Sequence, residues 1–265
     1  MHHMAEKENV DHQYSNDEKL MIRLNFQKKY RTNPKSYQEW LWERYPLTEE
    51  CKVLELGCGT GAIWENRIEQ LPNDAKLLLS DYSEGMLDIV KSKFSTHPNV
   101  EYQVIDIQSI PIEENTFDIV IANSMLYHVA DIPKALSEVH RVLKAGGTFI
   151  VATTGNRNAY TYFNEKLTEL DSMLKVYDEY DLAFSLQNGT SFLEPIFRTV
   201  EMQQYDNSLK VSSIEDFIEY IRSVVSEEKF SANEFEAIFD CFEKIRLTEG
   251  TLNIPVDAGV FIARK

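Results

Sequence analysis

The sequence has little positive charge, few cysteines and no long apolar run. It has 27 lysine and arginine residues against 43 aspartate and glutamate residues, which gives a formal net charge of -16. Binding to nucleic acids and to anionic lipid both depend on a cationic surface, so this balance argues against either partner. No apolar run approaches the roughly 18 residues that a membrane-spanning helix needs. We therefore expect no nucleic acid and no membrane among its partners.

The three cysteines are Cys51, Cys58 and Cys241, and none of them belongs to a Cys-x-x-Cys pair. This odd, sparse set provides neither a disulfide framework nor a cysteine metal site, and it is typical of a reducing compartment. The polar segment 1–17 lacks an apolar signal core and is expected to be a flexible tail that starts with a remnant of an expression tag. We expect a cytoplasmic protein without a bound metal, either a monomer or a homodimer.

Short apolar runs alternate with helical patterns from Lys52 to Thr154, which is typical of an α/β protein with a doubly wound, parallel sheet. The predicted strands are 52–56, 76–80, 100–105, 117–122 and 148–152, followed later by 200–205 and 257–263. Helical spacing after the fifth strand, from Tyr160 to Tyr177, predicts a helical insertion. Ser213 with Asp216, and Ser231 with Glu234, are spaced as capping boxes at the starts of two further helices.

This pattern divides the chain into five predicted segments. They are the tail 1–17, a cap of N-terminal helices over 18–48 broken near Pro34, a ligand-binding core over 49–155, a helical insertion or lid over 156–188, and the remainder of the core sheet with its helices over 189–265.

The strongest motif is the sequence from Val53 to Gly61, in which a buried strand leads into glycines at three alternate positions. Glycine adopts positive φ readily and lets a ligand approach the backbone. A helix is expected to begin at about Ala62, with its free N–H groups facing the same space. Asp81 follows Gly61 by twenty residues, at the end of the second predicted strand, where a carboxylate can accept bonds from ribose hydroxyls.

This loop resembles motif I of the class I S-adenosylmethionine-dependent methyltransferases, in the broad branch that acts on small molecules. The resemblance continues through Asp81 to Met86, the Asp106-Ile107 pair, the segment from Phe117 to Asp131, and the Gly146-Gly147 turn, and covers roughly residues 50–155. It implies a mostly parallel sheet of seven strands whose last strand is antiparallel. It also implies S-adenosylmethionine as the cofactor and S-adenosylhomocysteine as the product.

The resemblance places the cofactor on one set of residues. Asp81 is expected at the ribose and Asp106 at the adenine, while Glu55 suits a positively charged sulfonium better than a pyrophosphate. The full set of predicted cofactor-binding residues is Glu55, Gly57, Cys58, Gly59, Gly61, Asp81, Tyr82, Met86, Asp106, Ile107 and Asn123.

The catalytic and substrate candidates are fewer. His128 follows the fourth strand and could take a proton from a hydroxyl acceptor, although a structural or cofactor-facing role is an alternative. Tyr162, Arg157 and Tyr30 are candidates for contact with the substrate, and packing is the alternative for each. Asn123 is not followed by the Pro-Pro sequence of enzymes that methylate amino groups of bases or glutamine.

These features predict in-line methyl transfer from S-adenosylmethionine to a small molecule. Two alternatives remain open: methylation of a protein or RNA, and a non-catalytic protein that binds the cofactor. A nicotinamide-dependent enzyme is disfavoured because its glycine spacing is Gly-x-Gly-x-x-Gly. The identity of the acceptor is not predicted.

Overall fold

The protein is described by a computed structural model over residues 17–170, 182–225 and 230–265. The predicted tail lies outside these residues, except for Asp17. The described chain forms two compact units, each made of three segments. The sheet unit comprises Tyr37–Thr154, Ala183–Tyr205 and Ala258–Lys265, and the helical unit comprises the described parts of Met1–Ser36, Gly155–Leu182 and Asp206–Asp257.

The sheet unit is built on seven strands, which are β1 Lys52–Leu56, β2 Lys76–Asp81, β3 Val100–Val104, β4 Phe117–Asn123, β5 Leu143–Thr154, β6 Thr199–Gln204 and β9 Ala258–Arg264. They lie in the order β3-β2-β1-β4-β5-β9-β6. Strands β1 to β5 are parallel, whereas β9 is antiparallel to both of its neighbours, β5 and β6. The predicted α/β fold and the antiparallel last strand are thereby confirmed.

Helices on both faces bury the centre of this sheet, which is why β1 and β4 read as continuous apolar runs. In β1, Val53 belongs to one buried cluster and Leu54 to the other. The first cluster includes Leu87 and Val90 of helix α3, Glu84–Phe94, and the second includes the apolar stripe of α4, Ile132–Val142. The unit also contains the short helices α2, Tyr37–Trp42, and α6, Gly189–Leu193.

The helix expected at Ala62 is absent, and that prediction is wrong. The chain after the glycine loop instead makes successive turns and ends in a 3₁₀ helix, Ile68–Gln70. Asn66 has a φ of 60°, in the left-handed region that interrupts a right-handed helix. The residues after the loop therefore do not supply an α-helical N-terminus.

The helical unit has its own core. It contains α1 Asp17–Tyr30, α5 Ala159–Leu170, α7 Ile214–Val224 and α8 Ala232–Glu249, with an antiparallel pair of strands, β7 Ser208–Val211 and β8 Leu252–Pro255. Phe163, Phe217 and Phe242 are fully buried, and the rings of Phe163 and Phe242 stack with centroids 5.6 Å apart.

Several local predictions for this unit can be compared with the structure. The Ser231 and Glu234 side chains cap each other's backbone N–H groups, as the capping box predicts, and Ser213 accepts from the N–H of Asp216. The predicted insertion helix is present up to Leu170, and its last predicted turns, with Tyr177, lie outside the described residues. The predicted segment 189–265 is shared between the units, because its residues 206–257 pack with the helical unit.

No helix within the described residues has the length and apolar character needed to cross a membrane.

Candidate cofactor and active site

The polar candidates of the sheet unit lie at the carboxyl ends of four adjacent strands. Asp106 follows β3, Asp81 ends β2, the glycine loop follows β1, and Asn123 ends β4. Since β3, β2, β1 and β4 are neighbours in this order, these groups form a row along one edge of the sheet. In open parallel sheets this edge is where ligands bind.

The glycine loop is held in a conformation that favours glycine at all three alternate positions. Gly57, Gly59 and Gly61 have φ values of 67°, 54° and 73°. A Cβ at Gly57 would lie 2.9 Å from the side chain of Met125, and one at Gly61 would lie 2.6 Å from Val90. At Gly59 no heavy atom of the described chain lies within 4 Å of the Cβ position, so this backbone faces open space.

Asp81 ties this loop to the second strand. One carboxylate oxygen accepts from the N–H of Gly59 at 2.9 Å, and the other accepts from the N–H of Ser83 at 2.9 Å. Each oxygen retains a second lone pair, so the carboxylate can still accept bonds from a ligand. Two further predicted cofactor-binding residues follow Asp81 in the chain. Tyr82 is 54% exposed, and Met86 is half-buried in the first turn of α3.

Asp106 lies beside Asp81 in the row, since the N–H of Ile105 donates to the carbonyl of Asp81 at 3.1 Å. The Asp106 carboxylate accepts from the backbone N–H of Gln108 at 2.8 Å and from its side-chain amide at 3.2 Å. Ile107 is buried in the core cluster that also contains Leu54. The Asp106 side chain is therefore oriented by its own turn.

Glu55 is a buried carboxylate with a donor on each oxygen. It is 2% exposed; the indole N–H of Trp64 donates to Oε2, and Nδ2 of Asn123 donates to Oε1 at 2.9 Å. Nδ2 of Asn123 also donates to the hydroxyl of Tyr45 at 2.7 Å. Burial raises the pKa of Glu55 to about 7, although both hydrogen bonds act in the opposite direction. Neither Trp64 nor Tyr45 was predicted from the sequence.

Cys58 is buried in the loop. Burial raises the pKa of its thiol, with the nearby Glu55 and Asp81 acting in the same direction. A thiol with a raised pKa is a weak nucleophile at neutral pH, and contact of Cys58 with the cofactor stays a prediction.

Three buried polar atoms at or just after the end of β4 have no partner among the described residues. They are Oδ1 of Asn123 and both ring nitrogens of His128. His128 ends a short 3₁₀ helix, Leu126–His128, where its ring lies 4.5 Å from that of Tyr127. Burial lowers the pKa of the His128 imidazole, which favours the neutral form that can accept a proton. Ser124 lies between these groups at a φ of 52°, a strained conformation that often occurs at functional sites.

The three predicted substrate residues belong to the helical unit and make contacts within it. The hydroxyl of Tyr30 donates to Asp216 at 2.5 Å, and the guanidinium of Arg157 pairs with Asp257 at 2.8 Å. The Tyr162 ring lies 6.3 Å from that of Phe242. These contacts account for the three side chains by packing and pairing, and a substrate role for them stays a prediction.

The glycine loop gives a prediction with an internal control. Gly59→Ala should cost about 1–2 kcal/mol, because only the positive φ opposes it. Gly61→Ala should cost roughly 1–3 kcal/mol more, since its methyl group would also overlap Val90 and Phe94. Urea unfolding of the two variants measures both values, and equal losses would contradict the packing of Gly61 against α3.

Glu55 should make stability depend on pH. Its pKa is about 7 in the folded protein and ordinarily 4.5, so its full contribution is present below pH 4.5 and is lost as the pH rises through 7. Relative to Glu55→Gln, the wild-type free energy of unfolding should fall by up to about 3 kcal/mol between pH 4.5 and 8. Urea unfolding at four pH values tests this, and a constant difference between the proteins would show that Glu55 does not titrate in this range.

Comparisons with known proteins agree with this site. A sequence profile for a methyltransferase domain matches residues 54–151. The demethylmenaquinone methyltransferase of Symbiobacterium thermophilum is 37% identical over 101 residues, which is 37% of this chain and 40% of that protein. Malonyl-[acyl-carrier protein] O-methyltransferase 1 of Ilyobacter polytropus is 25% identical over 198 residues, which is 72% of this chain and 71% of that protein.

Solved structures show the same fold. The YcgJ protein of Bacillus subtilis has a TM-score of 0.59 and 17% identity, and the match covers 86% of this chain and 97% of that one. The strand order, the glycine loop and the sequence matches together lead to one family. Residues 54–151 of the chain form a methyltransferase domain.

Proposed function

We propose that this protein binds S-adenosylmethionine along the row of strand ends and transfers its methyl group to a small-molecule acceptor. The observation that carries the proposal is the order of groups along the sheet edge: Asp106, Asp81, the open backbone at Gly59, and the unpartnered acceptor of Asn123. Adenine, ribose, sulfonium and amino-acid group follow one another in the same order along the cofactor.

The residues present fit this cofactor. The Asp81 carboxylate has lone pairs for the ribose hydroxyls, and Asp106 has them for the adenine amino group. No side chain of the described part of the chain fills the space at Gly59, so a ligand can approach the backbone there. The side chains of Asp106, Asp81 and Asn123 present carboxylate and amide oxygens along the row, and this set favours a cationic ligand over a pyrophosphate.

The cofactor supplies an activated methyl group and its own leaving group, so the protein's task is mainly to position the reactants and exclude water. The glycine loop and Asp81, which are joined by the hydrogen bond from the N–H of Gly59, would hold the cofactor. His128 is the group that can receive a proton: its imidazole favours the neutral form and both nitrogens lack partners among the described residues. An acceptor that reacts through a hydroxyl would give its proton to His128, whereas an already ionised acceptor would not need it.

A small acceptor is favoured over a nucleic acid by the net charge of -16. Two of the relatives are named for demethylmenaquinone and for malonyl-[acyl-carrier protein]. By analogy we propose an acceptor of low molecular mass, free or carried, with its atom type left to experiment.

The cofactor assignment predicts a loss of affinity in Asp81→Asn. The amide keeps the size of the side chain but removes the charge, and its nitrogen cannot accept from Gly59 or from a ribose hydroxyl. Calorimetric titration with S-adenosylhomocysteine should show roughly 10- to 100-fold weaker binding. Asp118→Asn, a change of the same kind at a carboxylate paired with Lys144, should leave the affinity unchanged. Equal affinities for all three proteins would remove Asp81 from the site.

His128→Gln tests the proton-accepting role. Its affinity for S-adenosylhomocysteine should stay within about twofold of wild type, because no hydrogen bond joins His128 to the glycine loop or to Asp81. Methyl transfer to hydroxyl acceptors from a panel of small phenols and hydroxy acids should fall by about 10²–10⁴-fold. A large loss of affinity would instead assign His128 to cofactor binding or to the structure of the loop.

A further inference from the structure

The Asn123 amide has a defined orientation, and Glu55 defines it. Above its pKa of about 7, Glu55 is an ionised carboxylate, which accepts hydrogen bonds and cannot donate them. Its oxygen at 2.9 Å therefore requires the nitrogen end of the amide to point inwards, and the hydroxyl of Tyr45 takes the second N–H at 2.7 Å. With both N–H groups bonded, the carbonyl oxygen Oδ1 is left as the only remaining polar atom of this side chain.

That oxygen needs a donor from outside the described chain. It is buried, and no described residue donates to it. A buried acceptor without a partner costs about 1–3 kcal/mol, which a ligand that donates a hydrogen bond would recover. Asn123 ends β4, on the far side of the glycine loop from Asp81 and Asp106. The ligand group that reaches it lies beyond the adenine, the ribose and the sulfur.

We propose that Glu55 is a positioning residue that fixes the Asn123 amide with its carbonyl oxygen outwards, as the acceptor for the ammonium group of the cofactor's amino-acid part. This inference rests on the proposed function. Glu55 does not contact the ligand itself: both of its oxygens are bonded to Trp64 and Asn123, and it is 2% exposed.

Trp64 makes the arrangement testable because its indole can only donate. In Glu55→Gln, the one amide oxygen must face Trp64, and the NH₂ group must face Asn123. Asn123 then turns over to present its oxygen to Gln at position 55, and the hydroxyl of Tyr45 can reverse to donate to the same oxygen. The NH₂ group of Asn123 then points outwards, where a donor opposes an ammonium group.

The experiment is a calorimetric titration with two probes at about pH 8.5, where Glu55 is ionised. S-adenosylhomocysteine has the amino-acid part, and 5′-methylthioadenosine has the adenosine and sulfur without it. Glu55→Gln should bind S-adenosylhomocysteine roughly 10- to 100-fold more weakly than wild type and bind methylthioadenosine with unchanged affinity. Asn123→Ala, which removes the acceptor, should show the same selective loss.

The double variant Glu55→Gln/Asn123→Asp supplies the rescue. The inward oxygen of the new carboxylate accepts from the new glutamine, and its outward oxygen is again an acceptor. It should regain at least about tenfold of the lost affinity for S-adenosylhomocysteine. If Glu55 had only a structural role, a second substitution at its contact with Asn123 would not selectively restore the binding of S-adenosylhomocysteine.

Three results would overturn the inference: wild-type affinity for S-adenosylhomocysteine in Glu55→Gln, an equal loss for both probes in the single variants, or a double variant no better than Glu55→Gln. A wild-type protein that binds neither probe would contradict the proposed function itself. Circular dichroism of each variant identifies any that fail to fold, and the affinities of the folded variants for the two probes then decide the question.

Discussion

The hydrogen bonds of the buried Glu55 carboxylate are the constraint on which the carboxyl ends of β1 and β4 depend. A carboxylate that is 2% exposed is costly unless donors compensate its charge, and Trp64 and Asn123 provide one donor each. These bonds connect three segments: the strand before the glycine loop, the turns after it, and the end of β4. Glu55, which lies before the loop, therefore fixes both the turns that follow the loop and the neighbouring end of β4.

The turns after the loop follow from the same constraint. The side chain of Trp64 is fully buried with its N–H directed at Glu55, and a left-handed residue, Asn66, follows it. A regular helix from Ala62 would need Asn66 in the right-handed region. The protein therefore lacks the positive end of a helix dipole at this loop, and the groups along the row from Asp106 to Asn123 are acceptors. Such a site is suited to a cationic ligand, whereas a phosphate would be repelled.

Much of the fold could be predicted from the sequence because the sheet is encoded locally. Strands β1 and β4 are apolar runs between polar breaks, and Asp81 and Asp106 follow strands directly. Interactions distant in sequence could not be predicted this way. Tyr45 gave no signal among thirteen tyrosines, since its role depends on Asn123, 78 residues away. The pairing of β7 with β8 was missed for the same reason, because short strands separated by two helices carry no local mark of their partner.

The aromatic residues of the helical unit show why the acceptor is harder to predict than the cofactor. A cofactor of fixed chemistry requires particular groups, such as a carboxylate at a strand end, and these leave a pattern in the sequence. Tyr30 and Tyr162 belong instead to a core in which Phe26 and Phe217 also pack, and the hydroxyl of Tyr30 is bonded to Asp216. Packing and recognition use the same residue types, so composition and spacing do not separate them. The acceptor must therefore be found by binding and transfer measurements on the sheet unit's polar groups, His128 first, rather than from the number of aromatic residues.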